Sequence, residues 1–167
     1  MDNYNILKSL AIDYLSARKH FLDESDKHKE LSGNDNIIGR IGELIAIKYL
    51  HTQGRIAIKN ESAVEKGYDL KVADSDLISV KIITSENKKG RTTKIKKPWT
   101  EIIIISLDIE YKVDRLGHIT ERQFEIAIKE NFIFDYEPYT NRRMLNDNGL
   151  FDKYGVLLKS DELKDYL

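Results

Sequence analysis

The sequence predicts one domain of the α/β (α+β) class, a mixed central sheet flanked by helices. Three observations carry this. Two segments near the start repeat apolar residues at three- and four-residue spacing, the period of a helix face. Two later runs, 77–84 and 101–107, are short and rich in β-branched residues, which suits buried strands. A helical pattern then returns at 120–130, and no repeat or linker interrupts the order of helix, helix, strands, helix.

The first helix rests on Ile6, Leu7, Leu10, Ala11, Tyr14 and Leu15, then Phe21 and Leu22. The turn cluster Ser32-Gly33-Asn34-Asp35 ends it. A second helix is expected from about Asn36 to His51, capped by Asp35 or Asn36. In its IIGRIGELIAIKYL run only Arg40, Glu43 and Lys48 are charged, so it packs on more than one side. Residues 55–59 read as a short strand, 67–72 as a better one, and Ala73 to Asp76 as a turn. Leu77 to Thr84 has β-branched residues on both faces and reads as central. Residues 86–98 form a long loop or ribbon. Glu101 to Leu107, with four consecutive isoleucines, is a buried strand, and residues 110–113 extend the sheet as an edge. From Thr120 to Glu130 the spacing is helical, with Thr120 and Gln123 placed for a capping box. The segment from Asn131 onward carries no clear pattern. The whole chain, 1–167, reads as one domain with its core at about 36–130.

Composition narrows the function classes. With 167 residues, 41% hydrophobic and 33% charged, the chain suits a globular domain with a real core. It has no cysteine, which excludes disulfides, zinc-thiolate sites and a thiol nucleophile. No apolar run approaches the ~20 residues of a membrane helix, so no membrane partner is expected. The opening Met1-Asp2-Asn3-Tyr4 lacks a signal peptide's basic start and apolar core, which sets the cytoplasm as the expected location. Net charge is -1, without the excess of a strongly basic nucleic-acid binder. The charge is uneven, however. Lys88, Lys89, Arg91, Lys94, Lys96 and Lys97 stand against the single acid Glu86 between 86 and 97. His20, His28, His51 and His118 are scattered, and no nucleotide-binding glycine loop or nucleophile elbow is present.

Three charged residues sit where burial makes them costly. Glu43 lies in the near-apolar helix, Asp69 follows Gly67-Tyr68 at a strand, and Lys81 is inside the strand read as central. A period of two puts Ser79, Lys81 and Ile83 on one face of that strand, and Ile78, Val80 and Ile82 on the other. Singly, each charge has an ordinary reading: Glu43 paired with Arg40 or another residue, Asp69 in a turn, Lys81 facing solvent.

In this order the residues resemble the PD-(D/E)xK nuclease superfamily. The likeness covers about residues 36–84 plus the 101–107 strand: Gly39-Arg40-Ile41-Gly42-Glu43 on a helix, then Gly67-Tyr68-Asp69-Leu70, then Ser79-Val80-Lys81. The resemblance implies a restriction-endonuclease-like fold and a metal-dependent endonuclease. Its substrate would be nucleic acid, DNA rather than RNA, in a defence, toxin or mobile-element system. Mg²⁺, or Mn²⁺, would be the cofactor. Asp69 would be the metal-binding aspartate, Lys81 the lysine beside the attacking water, and Glu43 the helix carboxylate that completes the metal site. Ser79 departs from the pattern, since an acid usually stands there and a hydroxyl is a weak ligand for a hard cation. Glu43 is the first candidate to replace that acid, with Glu86 and Glu101 behind it. Tyr68 also departs, standing where a proline is frequent. The lysines and arginine at 88–97, interleaved with Thr92, Thr93 and Trp99, would contact phosphates and stack on a base. A homodimer is the assembly by which such enzymes cut both strands. The alternative is a catalytically inactive member of this fold that binds nucleic acid or a protein, as an immunity or assembly module.

Overall fold

The computed structural model describes residues 2–25, 37–60, 67–73, 75–87 and 91–167. Helices α1 (Asp2–Ser25) and α2 (Ile37–Thr52) come first, then strands β1 (Ala57–Lys59), β2 (Leu70–Val72), β3 (Asp76–Ile83), β4 (Arg91–Lys94), β5 (Glu101–Leu107) and β6 (Val113–Thr120). Helix α3 (Glu121–Lys129), strand β7 (Tyr139–Asn141), helix α4 (Leu150–Tyr154) and strand β8 (Val156–Lys159) follow, with single 3-10 turns at Arg142–Leu145 and Ser160–Glu162. The expected caps of α2, Asp35 and Asn36, lie outside the described residues.

Six strands form one mixed sheet in the order β1-β2-β3-β5-β6-β8. β3 and β5 are parallel, and the other neighbours are antiparallel. Helices cover both faces, which is the mixed α/β arrangement expected from the sequence and is consistent with a restriction-endonuclease-like fold. On one face α1 and α2 enclose Ile78, Val80, Ile103 and Ile105. On the other, α3, α4 and Trp99 enclose Ile83, Ile102 and Ile104. The unbroken run of isoleucines in β5 follows from this double covering, since every residue of the strand is buried. α2 lies close on β3: a β-carbon on Gly42 would stand 3.0 Å from that of Ile82.

The sequence reading holds for α2, β3, β5 and α3, including the capping box between Thr120 and Gln123. It fails at 110–113. Asp108 accepts the backbone N–H groups of Glu110 and Lys112 at 2.8 and 2.9 Å, and Tyr111 takes a positive φ of 60°. That turn consumes the segment, and the strand begins at Val113, inside the sheet between β5 and β8. The 86–98 segment holds β4, which pairs with β7 as a separate two-stranded ribbon. The core also reaches beyond 36–130: Ala11 and Leu15 of α1, and Leu163 and Tyr166 near the C-terminus, pack under the first face. Among the described residues no helix is long and apolar enough to cross a membrane.

Candidate active site at Asp69 and Lys81

Asp69 stands at the point where β2 begins, and its backbone is held from both sides. Its N–H donates to Ile78 O at 2.8 Å, and its carbonyl accepts Asn60 N–H at 2.9 Å. The carboxylate turns toward β3, where Oδ2 accepts the Val80 N–H at 2.6 Å. The same oxygen lies 3.8 Å from Nζ of Lys81, and both side chains are largely but not fully covered, 30% and 21% exposed. A charge-assisted hydrogen bond from the backbone fixes the acid, and the acid draws in the ammonium. The local chain permits this because Gly67 adopts φ of +109° against the Lys97–Pro98 peptide, where a side chain would not fit.

Register assigns the faces. Ser79, Lys81 and Ile83 stand opposite Ile102, Ile104 and Ser106 of β5, on the α3 side of the sheet. Ser79 is buried, and among the described residues its hydroxyl has no hydrogen-bond partner. The position where an acid was expected is thus an enclosed, neutral and unsatisfied oxygen.

Glu43 is held elsewhere. It approaches from α2, on the opposite face, and forms an ion pair with Lys59 of β1. Lys59 stands opposite Leu70 in register and so shares the α2 face with it. The structure brings Asp69 and Lys81 together, and it gives Glu43 to a lysine that the sequence did not single out. The signal for Lys59 was present only as alternation in a three-residue strand. Whether Glu43 also meets Arg40 lies outside the described side chains. The remaining acids are committed as well. Glu86 accepts Nε of Arg18 at 3.1 Å and the Tyr111 hydroxyl. Glu101 accepts both terminal nitrogens of Arg55, at 2.8 and 2.6 Å, and Nε2 of His118 at 2.6 Å. Among the described residues no cluster of three His, Asp or Glu side chains could hold a metal ion.

Glu101 centres a network of charged and polar side chains in the interior. Arg55 also reaches Asp76 at 2.9 Å, and the Tyr49 hydroxyl meets Nδ1 of His118 at 3.1 Å. An ionised carboxylate only accepts, so Nε2 of His118 donates to Glu101. Burial alone would raise the Glu101 pKa, but the hydrogen bonds from His118 and Arg55 together lower it to about 2.

The basic segment divides. Lys88 and Lys89 lie outside the described residues, as does the side chain of Arg91, whose backbone opens β4. Lys94 pairs with Asp135 at 3.7 Å. Lys97 is bound to Glu121, donates to Trp99 O at 2.8 Å, and lies over the Trp99 ring. Lys96 is exposed. Trp99 does not offer its ring to a base. It is 2% exposed and packs edge-on against Phe124 in the second core. A tryptophan next to Pro98 and just before a buried strand is better placed to fill that core than to face solvent.

In the comparisons with known proteins, the chain matches no family model and no curated protein sequence.

Proposed function

We propose that the chain hydrolyses phosphodiester bonds of nucleic acid, DNA rather than RNA, at the Asp69–Lys81 pair, with Mg²⁺ or Mn²⁺ as cofactor. The observation that supports this most directly is the 3.8 Å approach of a strand-start carboxylate to a lysine on the central strand. A largely covered lysine beside an acid, inside the sheet, calls for an anionic partner, and a phosphate would supply one. Mg²⁺ is commonly held by one or two carboxylates, with the remaining places taken by water and substrate phosphate. Asp69 fits that sparse role, and Ser79 adds at most a neutral oxygen. When bound, the ion supplies Lewis acidity toward the scissile phosphate. The chain's own residues do the rest. Lys81 donates to the phosphate or to the attacking water and offsets charge that develops in the transition state. Asp69 holds the ammonium in place, and the Val80 N–H holds Asp69.

A metal-dependent cleavage assay on plasmid, linear DNA and RNA tests this reading. Cleavage is expected with Mg²⁺ or Mn²⁺, and Lys81→Ala should lower its rate by about 10²-fold or more. Wild-type protein that cleaves none of these substrates with either metal would sink it.

The Glu43–Lys59 pair favours a second reading, a catalytically silent domain of this fold that binds nucleic acid or a protein. A helix carboxylate neutralised by Lys59 lends no charge to Asp69. Under this reading Asp69→Asn leaves function intact, and calorimetry detects no Mn²⁺ site that depends on Asp69.

A further inference from the structure

Next to the proposed site lies a surface that neither Asp69 nor Lys81 uses. Ribbon β4–β7 pairs Lys94 with Tyr139 in register, and the Ile95 N–H extends the pairing to Pro138 O at 3.1 Å. The segment entering β7, residues 131–138, and the first residue of β7 carry large rings into solvent. Phe134 is 84% exposed, Tyr136 56% and Tyr139 47%. Exposed rings at this density are costly without a partner.

A cation lies against one of these rings. Lys94 Nζ is 5.4 Å from the Tyr139 ring centre, while Lys153 Nζ is 4.8 Å from that of the partly buried Phe132. Arg91, Lys94, Lys96 and Lys97 fall within or just after β4, and Arg142 and Arg143 follow β7, against Asp135 and Glu137 in the segment between. Lys94 is paired with Asp135 and Lys97 with Glu121, so in a chain of net charge -1 the exposed Lys96 and the arginines give this ribbon its excess of positive charge. It also adjoins the proposed site, because the Lys97–Pro98 peptide that leaves the ribbon packs on Gly67, two residues before Asp69.

We infer that ribbon β4–β7 and the 131–138 segment grip unpaired nucleotides, with Phe134 and Tyr136 stacking on bases and Lys94 and Lys96 facing the phosphates. Exposed ring faces need exposed base faces, which a single strand offers and a duplex keeps inside its stack. The flanking cations suit a polyanion better than an apolar protein surface. The inference rests on the nuclease reading and narrows its substrate to nucleic acid with a single-stranded stretch.

Fluorescence anisotropy with the full-length Lys81→Ala protein separates binding from cleavage. The probes are a labelled oligothymidylate and a duplex of equal length at one fixed salt concentration. Tighter binding of the oligothymidylate is expected. Phe134→Ala and Tyr136→Ala, both at exposed positions, should each weaken it by about tenfold while leaving duplex binding unchanged. Equal losses on both probes, or no loss on either, would overturn the inference and leave the Asp69–Lys81 reading standing. If the two substitutions instead change the sedimentation of the protein alone, the rings are a contact between protein chains and the inference also falls. Failure to bind either probe would count against both readings.

Discussion

Gly67 and Lys97 touch backbone to backbone. A β-carbon on Gly67 would fall 2.5 Å from the Lys97 carbonyl carbon, in a conformation, φ +109°, that side chains avoid. The contact ties the strand start that carries Asp69 to the exit of ribbon β4–β7. Gly67→Ala should therefore cost about 2 kcal/mol or more from backbone strain and displacement together. The expected result is a lowered Tm together with a larger loss of Asp69-dependent cleavage than of nucleic-acid affinity. A variant with wild-type Tm and activity would show that the contact is dispensable.

Glu43 and Asp69 should separate functionally. Glu43→Gln removes a charge already matched by Lys59, whereas Asp69→Asn removes the acid paired with Lys81. Under the nuclease reading Asp69→Asn lowers kcat by about 10²-fold, and Glu43→Gln lowers it far less. Lys59→Met leaves the half-buried Glu43 carboxylate without its cation and should cost about 1–3 kcal/mol in a urea titration. Equal loss of activity in Glu43→Gln and Asp69→Asn would return Glu43 to the metal site.

Glu101 should set part of the acid limit of the fold. Its pKa is about 2 folded against an ordinary 4.5, so the folded chain binds fewer protons between those values. The stabilisation is complete above pH 4.5 and is lost as the pH falls toward 2. Its size at neutral pH is on the order of 3 kcal/mol. Glu101→Gln should lower stability at pH 7 and flatten the decline below pH 4.5 relative to wild type, as urea unfolding at a series of pH values would read. Parallel curves for the two proteins would refute the assignment.

Gly117 lies in β6 beneath α4, and a β-carbon there would overlap the Phe151 ring. Gly117→Ala should destabilise by about 3 kcal/mol through overpacking. Phe151→Ala, which removes the overlapping Cγ, should cost less in the Gly117→Ala background than in the wild type, because the two changes share one space. Equal costs in the two backgrounds would place the loss in the strand backbone instead.

The parts of the fold that could be read in advance are those where burial and periodicity agree. β5 is apolar at nearly every position because both faces are covered, and α3 announces itself through Thr120 and Gln123. β6 could not be read, although it lies inside the sheet. Its Asp114, Arg115, Gly117 and His118 break the apolar pattern because their partners are far away in sequence. Arg115 meets Asp147 at 2.7 Å, and His118 meets Glu101. At the candidate site, Asp69 and Lys81 were visible because a charge in a buried strand demands a reason. The partner of Glu43 was not, since nothing in the chain up to Lys59 marks that lysine apart from the other cations. Trp99 misled for a related reason: lysine neighbours suggest a wet surface, yet alternate residues at a strand entrance face opposite ways.

The parallel pairing of β3 with β5 has a consequence for the newly made chain. Ile78 lies opposite Glu101, and the ribbon segment separates them. While a ribosome synthesises that segment, the apolar side of β3 has its antiparallel neighbour β2 and the helices before it, but no strand on its other edge. Until β5 emerges, Ile78, Val80 and Ile82 border an open ladder that a second nascent chain could occupy. The interval between those two strands thus leaves β3 with an unpaired edge, and slowing translation there should raise the aggregated fraction.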